Sequence, residues 1–93
     1  MTAPAVMSRV EPEYTKEAKA AGVEGKVALY LEVTPEGTAS HIMITRKLDP
    51  GLDQRAVEAV KQWRFRPGMK DGMPVTVAGT IEVSFRIPDK KQP

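Results

Sequence analysis

The chain has no cysteine and a single histidine, His41. The first absence removes disulfide staples, thiolate metal sites and thiol nucleophiles. The second leaves no histidine pair for zinc and no ready catalytic triad. Aromatic residues are scarce, with one Trp, two Tyr and two Phe in 93 residues, too few for the stacking platforms that hold single-stranded nucleic acids. No apolar run approaches the roughly 18 residues needed to span a bilayer. Met1 to Val10 lacks the basic start and apolar centre of a signal peptide. An excess of one charge sign is missing too: 14 Lys and Arg face 12 Asp and Glu, a net charge of +2. That balance says little about partners, but Lys and Arg are spread among Glu residues with no concentrated basic stripe, so no nucleic-acid partner is expected. No acid–base or nucleophile pair stands out, so an enzyme is not expected, nor a cofactor or a metal.

What remains is an ordinary composition, 41% hydrophobic and 28% charged, that suits one small folded domain with no room for a second core. Residues 1–10 read as extended. Pro12 reads as a helix start, because its missing N–H would be unsatisfied there anyway. Glu11, Glu13 and Glu17 place negative charge at that end. Tyr14, Ala18 and Ala21 fall on one face, and Gly22 supplies the stop. From residue 25 the period changes to two: Val27, Leu29, Leu31 and Val33 point one way, Lys26, Ala28, Tyr30 and Glu32 the other. Thr34-Pro35-Glu36-Gly37 makes a hairpin turn. A returning strand over 40–46 then turns Ile42 and Ile44 inward and His41, Met43 and Thr45 outward.

Asp49-Pro50-Gly51 breaks the chain before a second helix. Leu52, Ala56, Val60 and Trp63, widened by Ala59, form its apolar stripe, and Asp53 is its cap or first-turn acid. Pro67 predicts an end near Arg64 or Phe65. The basic stretch Lys61 to Lys70, with Arg64 and Arg66, then reads as a solvated helix end, or else as a contact for an anionic partner. Gly68 and Asp71-Gly72 mark a loop. Last, Val75 to Ile87 alternates over about 40 Å of strand, more than the hairpin strands cover, with a kink or bulge expected at Gly79. One end, or one whole edge, is expected to stay unpaired. The order α-β-β-α-β places the domain in the α+β class, a three-stranded antiparallel sheet with two helices packed on one face. The other face, carrying Ala28, Tyr30, Met43 and Ala78, is expected to meet water.

This pattern resembles the C-terminal domain family of TonB energy transducers. The resemblance starts at Glu11-Pro12-Glu13-Tyr14. It continues through Gly22-Val23-Glu24-Gly25-Lys26-Val27, the Thr34-Pro35-Glu36-Gly37 turn and Phe85-Arg86-Ile87. Its most specific stretch is Leu52-Asp53, Ala56, Ala59-Val60 and Trp63-Arg64-Phe65-Arg66-Pro67. Thr15 departs from the Tyr-Pro usual in the family, and Glu17 stands where a basic residue is often found. The resemblance divides the chain into an extended or added lead-in at 1–9, a TonB-like domain at 10–88 and a disordered tail at 89–93. It implies a periplasmic piece of a longer protein anchored to the inner membrane of a Gram-negative bacterium. Absent N-terminal parts would meet a motor complex driven by proton-motive force. The implied partner is a TonB-dependent outer-membrane receptor, whose TonB-box peptide adds beside the last strand at Thr80, Glu82, Ser84 and Arg86. Receptor contacts before and in the first helix fall on Arg9, Glu11, Glu13 and Tyr14. Trp63, Phe65, Pro67 and Phe85 are the structural core motif.

The residues alone support strand addition, since a long strand with an unpaired edge is a template for another chain. Several readings stay open. Tyr14 either staples the first helix to the sheet or offers its ring to a receptor. Glu82 and Arg86 either select a peptide by charge or form solvated cross-strand pairs. His41 is an exposed strand residue or a pH sensor. Against the transducer stands a sensory or scaffolding module of an envelope signalling protein, for example one carrying a membrane metallopeptidase. An intertwined homodimer is compatible with either.

Overall fold

The predicted period-two run at residues 25–34 becomes the central strand of the domain. The computed structural model describes residues 2–87; the tail expected at 89–93 lies outside them. Gly25–Val33, Ala39–Arg46 and Val77–Phe85 form a three-stranded antiparallel sheet with the first of these in the middle. In chain order the strands are β1 (Ala5–Ser8), β2 (Gly25–Val33), β3 (Ala39–Arg46), β4 (Arg64–Arg66), β5 (Gly68–Lys70), β6 (Met73–Val75) and β7 (Val77–Phe85). The helices are α1 (Lys16–Ala21) and α2 (Pro50–Val60). Val27, Leu29, Leu31 and Val33 on β2 are buried together with Val83 and Phe85 on β7. Against them pack Ala18 of α1 and Leu52, Ala56 and Val60 of α2. Both helices therefore cover the same face of the sheet, and the α+β class with a three-stranded sheet holds.

Several boundaries differ from those the sequence predicts. The first helix starts at Lys16, not at Pro12, because the Thr15 hydroxyl caps it by accepting from the Ala18 N–H at 3.1 Å. A hydroxyl that satisfies an orphan N–H outcompetes a proline that merely tolerates the position. Glu11, Glu13 and Tyr14 thus precede the helix, and only Glu17 lies in its first turn. Of the expected stripe, Ala18 is buried and Ala21 exposed. Gly22 ends the helix at φ 71°, the left-handed conformation in which glycine has no Cβ penalty.

The second helix is capped by Asp49 and ends at Val60, short of Arg64. Asp53 is a buried first-turn acid that accepts from the Leu48 and Asp49 N–H groups at 2.9 and 3.2 Å. Trp63 reaches the core from beyond the helix. In the basic stretch only Lys61, the C-cap residue, sits at a helix end; Arg64 and Arg66 alternate with buried Phe65 in β4. β1 pairs with β4, giving the lead-in segment a partner that its sequence does not announce. The expected loop at 68–72 is a hairpin, β5 against β6, turning at Asp71-Gly72 with φ 52° and 77°. That hairpin also shortens the last strand, which begins at Val77 instead of Val75.

Gly79 carries no bulge: β7 and β2 pair without interruption from Gly25–Phe85 to Val33–Val77. The irregularities fall in the β2–β3 pairing instead, where the register shifts twice and His41 takes φ 51°. Both extra residues lie on β3, between Arg46 and Ile44 and between Met43 and Ser40, where His41 takes the left-handed conformation found at bulges. Gly37 is buried at φ 86°, and its carbonyl accepts from the Phe65 N–H at 2.8 Å. A Cβ there would collide with the Phe65 carbonyl oxygen, so the turn requires glycine for space as well as for conformation.

Candidate functional site, an open strand edge beside a tethered segment

From Thr80 onward β7 alternates between exposed and inward residues. Val83 and Phe85 are buried, while Thr80, Glu82 and Ser84 at its outer positions are exposed, as is Arg86 just after the strand. Its backbone is bonded on one side by β2, and among the described residues no strand occupies the other. A row of N–H and C=O groups along that edge is open to another extended chain.

Segment 9–14 runs beside the C-terminal half of this edge and is held there by its neighbours. The Trp63 Nε1–H donates to the Val10 carbonyl at 3.0 Å, and the Arg9 guanidinium lies 5.2 Å above the Trp63 ring. Tyr14 donates its hydroxyl to the Val23 carbonyl at 2.8 Å and sets its ring edge-on to Phe85, centroids 5.6 Å apart. Half-burial raises the Tyr14 pKa above its ordinary 10.0, and the Glu24 carboxylate adds to the rise. Between segment and strand lie two shallow clefts. One, about 150 Å³, is bounded by Arg9, Glu11, Trp63, Glu82 and Ser84. The next, about 270 Å³, is bounded by Glu11, Tyr14, Ser84, Phe85 and Arg86.

The structure thus brings together Arg9, Glu11 and Tyr14 with Glu82, Ser84 and Arg86, residues more than 65 positions apart in the chain. Glu13 turns away to meet Arg55 of α2 at 3.6 Å, and Thr80 lies farther along β7, outside both clefts. Glu82 is within 3.5 Å of Lys26 across the sheet, both largely exposed, an ion pair of little energetic weight. Tyr14 acts as a staple and also lines a cleft, so its two readings are compatible. Two contributors were not among the sequence candidates for the edge. Trp63, assigned to the core, also lines the first cleft. Glu24, within the Gly22-to-Val27 motif, accepts from the Ile87 N–H at 2.7 Å and holds the chain just after β7.

Trp63, Phe65 and Phe85 are buried, with the Trp63 and Phe65 ring centroids 6.2 Å apart. Pro67 separates β4 from β5. His41 is exposed, its Nδ1 3.3 Å from both the Ser40 hydroxyl and Glu32 Oε1. The Tyr30 hydroxyl donates to Glu32 Oε2 at 3.1 Å, which raises the Tyr30 pKa above 10.0.

Residues 10–87 match the family model described as Gram-negative bacterial TonB protein C-terminal. Protein TonB of Vibrio cholerae serotype O1 is 34% identical over 83 residues, covering 88% of this chain and 34% of that protein. Protein TonB of Escherichia coli is 33% identical over 75 residues, covering 80% and 31%. The chain spans about a third of the length of these curated relatives. The solution structure of the Pseudomonas aeruginosa TonB C-terminal domain superimposes with a TM-score of 0.76 at 25% identity, covering 95% of this chain and 90% of that one.

Proposed function

The chain belongs to the family of Gram-negative bacterial TonB protein C-terminal domains, and from that premise we propose that it is the periplasmic, receptor-facing end of an energy transducer anchored in the inner membrane. It binds the TonB-box peptide of an outer-membrane receptor as an added strand on β7. It then passes on force that a motor complex draws from the proton-motive force. The carrying observation is the nine-residue β7, paired in full on one side and open on the other, with segment 9–14 tethered alongside. Main-chain hydrogen bonds supply affinity with loose sequence demands, and the alternate side chains Glu82, Ser84 and Arg86 add selectivity. A peptide bonded along several residues and pulled lengthwise shares the load among its bonds. The work is that of a binding module whose active groups are backbone amides, so this reading requires no catalytic side chain.

Titrating the isotopically labelled chain with TonB-box peptides while following amide shifts tests this reading. Saturable shifts confined to 78–87 and 9–14, with slowed amide exchange in β7, are expected. No shift with any box peptide, together with tight self-association of the chain, would replace it with a scaffolding or dimeric module.

A further inference from the structure

The sheet order β3-β2-β7 leaves β3 as well as β7 with an open outer edge among the described residues, so strand addition has two templates to choose from. They are built differently. β7 faces β2 residue for residue, nine pairs without a break. The N–H and C=O groups on its outer side therefore keep the spacing of a regular strand. β3 instead sets its eight residues, Ala39–Arg46, against six of β2, from Ala28 to Val33. One extra residue is Thr45, since Ile44 and Arg46 pair with the adjacent Leu29 and Ala28. The other falls at His41-Ile42, which together face Leu31 between the Tyr30–Met43 and Glu32–Ser40 pairs. There His41 takes φ 51°, a conformation uncommon outside glycine. Its ring is held from β2: Nδ1 lies 3.3 Å from Glu32 Oε1, while Glu32 Oε2 accepts from the Tyr30 hydroxyl at 3.1 Å.

We infer that these two bulges close the β3 edge to strand addition and thereby direct an incoming extended chain to β7. The inference rests on the strand-addition reading of β7 and says why only one of two free edges is used. Each bulge bends the strand and adds local twist, so outward groups on either side of it fall out of line. Uninterrupted pairing on β3 is confined to Ala39-Ser40 and Met43-Ile44. Only every second residue of a regular edge turns its N–H and C=O outward. Each short stretch thus offers a single bonding residue, whereas the nine-residue β7 offers about four in one line. A peptide that bonds along β7 finds no comparable run on β3. Two copies of the chain are likewise kept from joining edge to edge through β3.

Deleting His41 and Thr45 together restores a match of six residues against six and leaves Ile42 and Ile44 opposite Leu31 and Leu29. Amide shifts and exchange are then followed with a TonB-box peptide and, without peptide, over a concentration series. In the wild-type chain, saturating peptide is expected to slow exchange in β7 and leave Ala39–Arg46 unchanged. In the double-deletion chain, the remaining β3 amides are expected to gain shifts and protection, from a second peptide or from another copy of the chain. Retained protection of the β2–β7 ladder shows that the fold is kept; should the double deletion not fold, deletion of His41 alone carries the same expectation. His41→Gly accepts the positive φ and keeps the bulge, so its β3 edge is expected to stay closed. Peptide- or concentration-dependent protection of β3 in the wild-type chain would overturn the inference. So would a folded deletion chain whose β3 responds to neither, or opening of the edge in His41→Gly, which would place the block in the side chain. A wild-type β7 that ignores every box peptide, with β3 self-association appearing on deletion, would count against the β7 reading alone.

Discussion

Trp63 links the core to the clefts, because its buried side chain also lines the first cleft and its Nε1–H holds the Val10 carbonyl. Trp63→Phe keeps most of the burial and removes the donor. Its expected cost is about 1 kcal/mol in denaturant unfolding, with a larger fractional loss in TonB-box affinity as segment 9–14 loosens. Trp63→Ala removes the packing too and is expected to cost about 3–5 kcal/mol. Tyr14 gives a pH-dependent prediction. Its pKa is raised in the folded state, so the fold binds the phenolic proton more tightly than the unfolded chain does. Stability is therefore fully present below pH 10 and lost as the pH rises through the folded-state pKa. Tyr14→Phe should flatten the alkaline arm of a denaturation-against-pH profile. It leaves the part due to Tyr30, whose pKa is raised as well by its bond to Glu32. If the profile of Tyr14→Phe matched the wild type above pH 10, the role given to the Tyr14 environment would be wrong.

Elements were legible where a period ran long enough to declare itself. β2 shows clean alternation over nine residues, and α2 carries its stripe over three turns. β1, β4, β5 and β6 are three or four residues each, too short for alternation to separate a strand from a loop. Their pairing depends on partners distant in the chain. Asp71-Gly72 was a readable hairpin signal, since both central residues of such a turn need positive φ. The helix start at Thr15 was readable from its hydroxyl, yet Pro12 and three nearby glutamates favoured an earlier start. Thr15→Ala is expected to cost about 1 kcal/mol, read as a shift in urea midpoint with an unchanged slope. Gly37→Ala should be more damaging than an exposed glycine substitution, because both the positive φ and the Phe65 carbonyl oppose it. A loss of more than about 2 kcal/mol is expected, whereas Gly79→Ala, with open space around its Cα and no positive φ, should be near neutral or stabilising.

At the scale of the whole molecule, one sheet with helices on a single face leaves two strand edges and one broad face uncovered among the described residues. Deleting residues 1–9 tests how far the β7 site depends on more than its strand. It removes β1, uncovers Phe65 and takes away the cation above Trp63. TonB-box affinity is expected to fall while the β2–β7 amides keep their protection from exchange, since that ladder needs no residue before Gly25. Loss of protection throughout the sheet would show instead that β1 is integral to the fold.

Read alone, the sequence determined the class of the domain, the buried face of β2, the apolar stripe of α2 and the exclusion of cysteine chemistry. These follow from local rules, the two- and 3.6-residue periods and the side-chain inventory, which act without knowledge of distant partners. Only the tertiary structure decided which edge of the last strand stays open, that segment 9–14 lies beside it, and that Glu13 and Thr80 stand apart from the clefts. Those facts rest on contacts between residues far apart in the chain, where register, caps and packing act together and no local pattern carries the information.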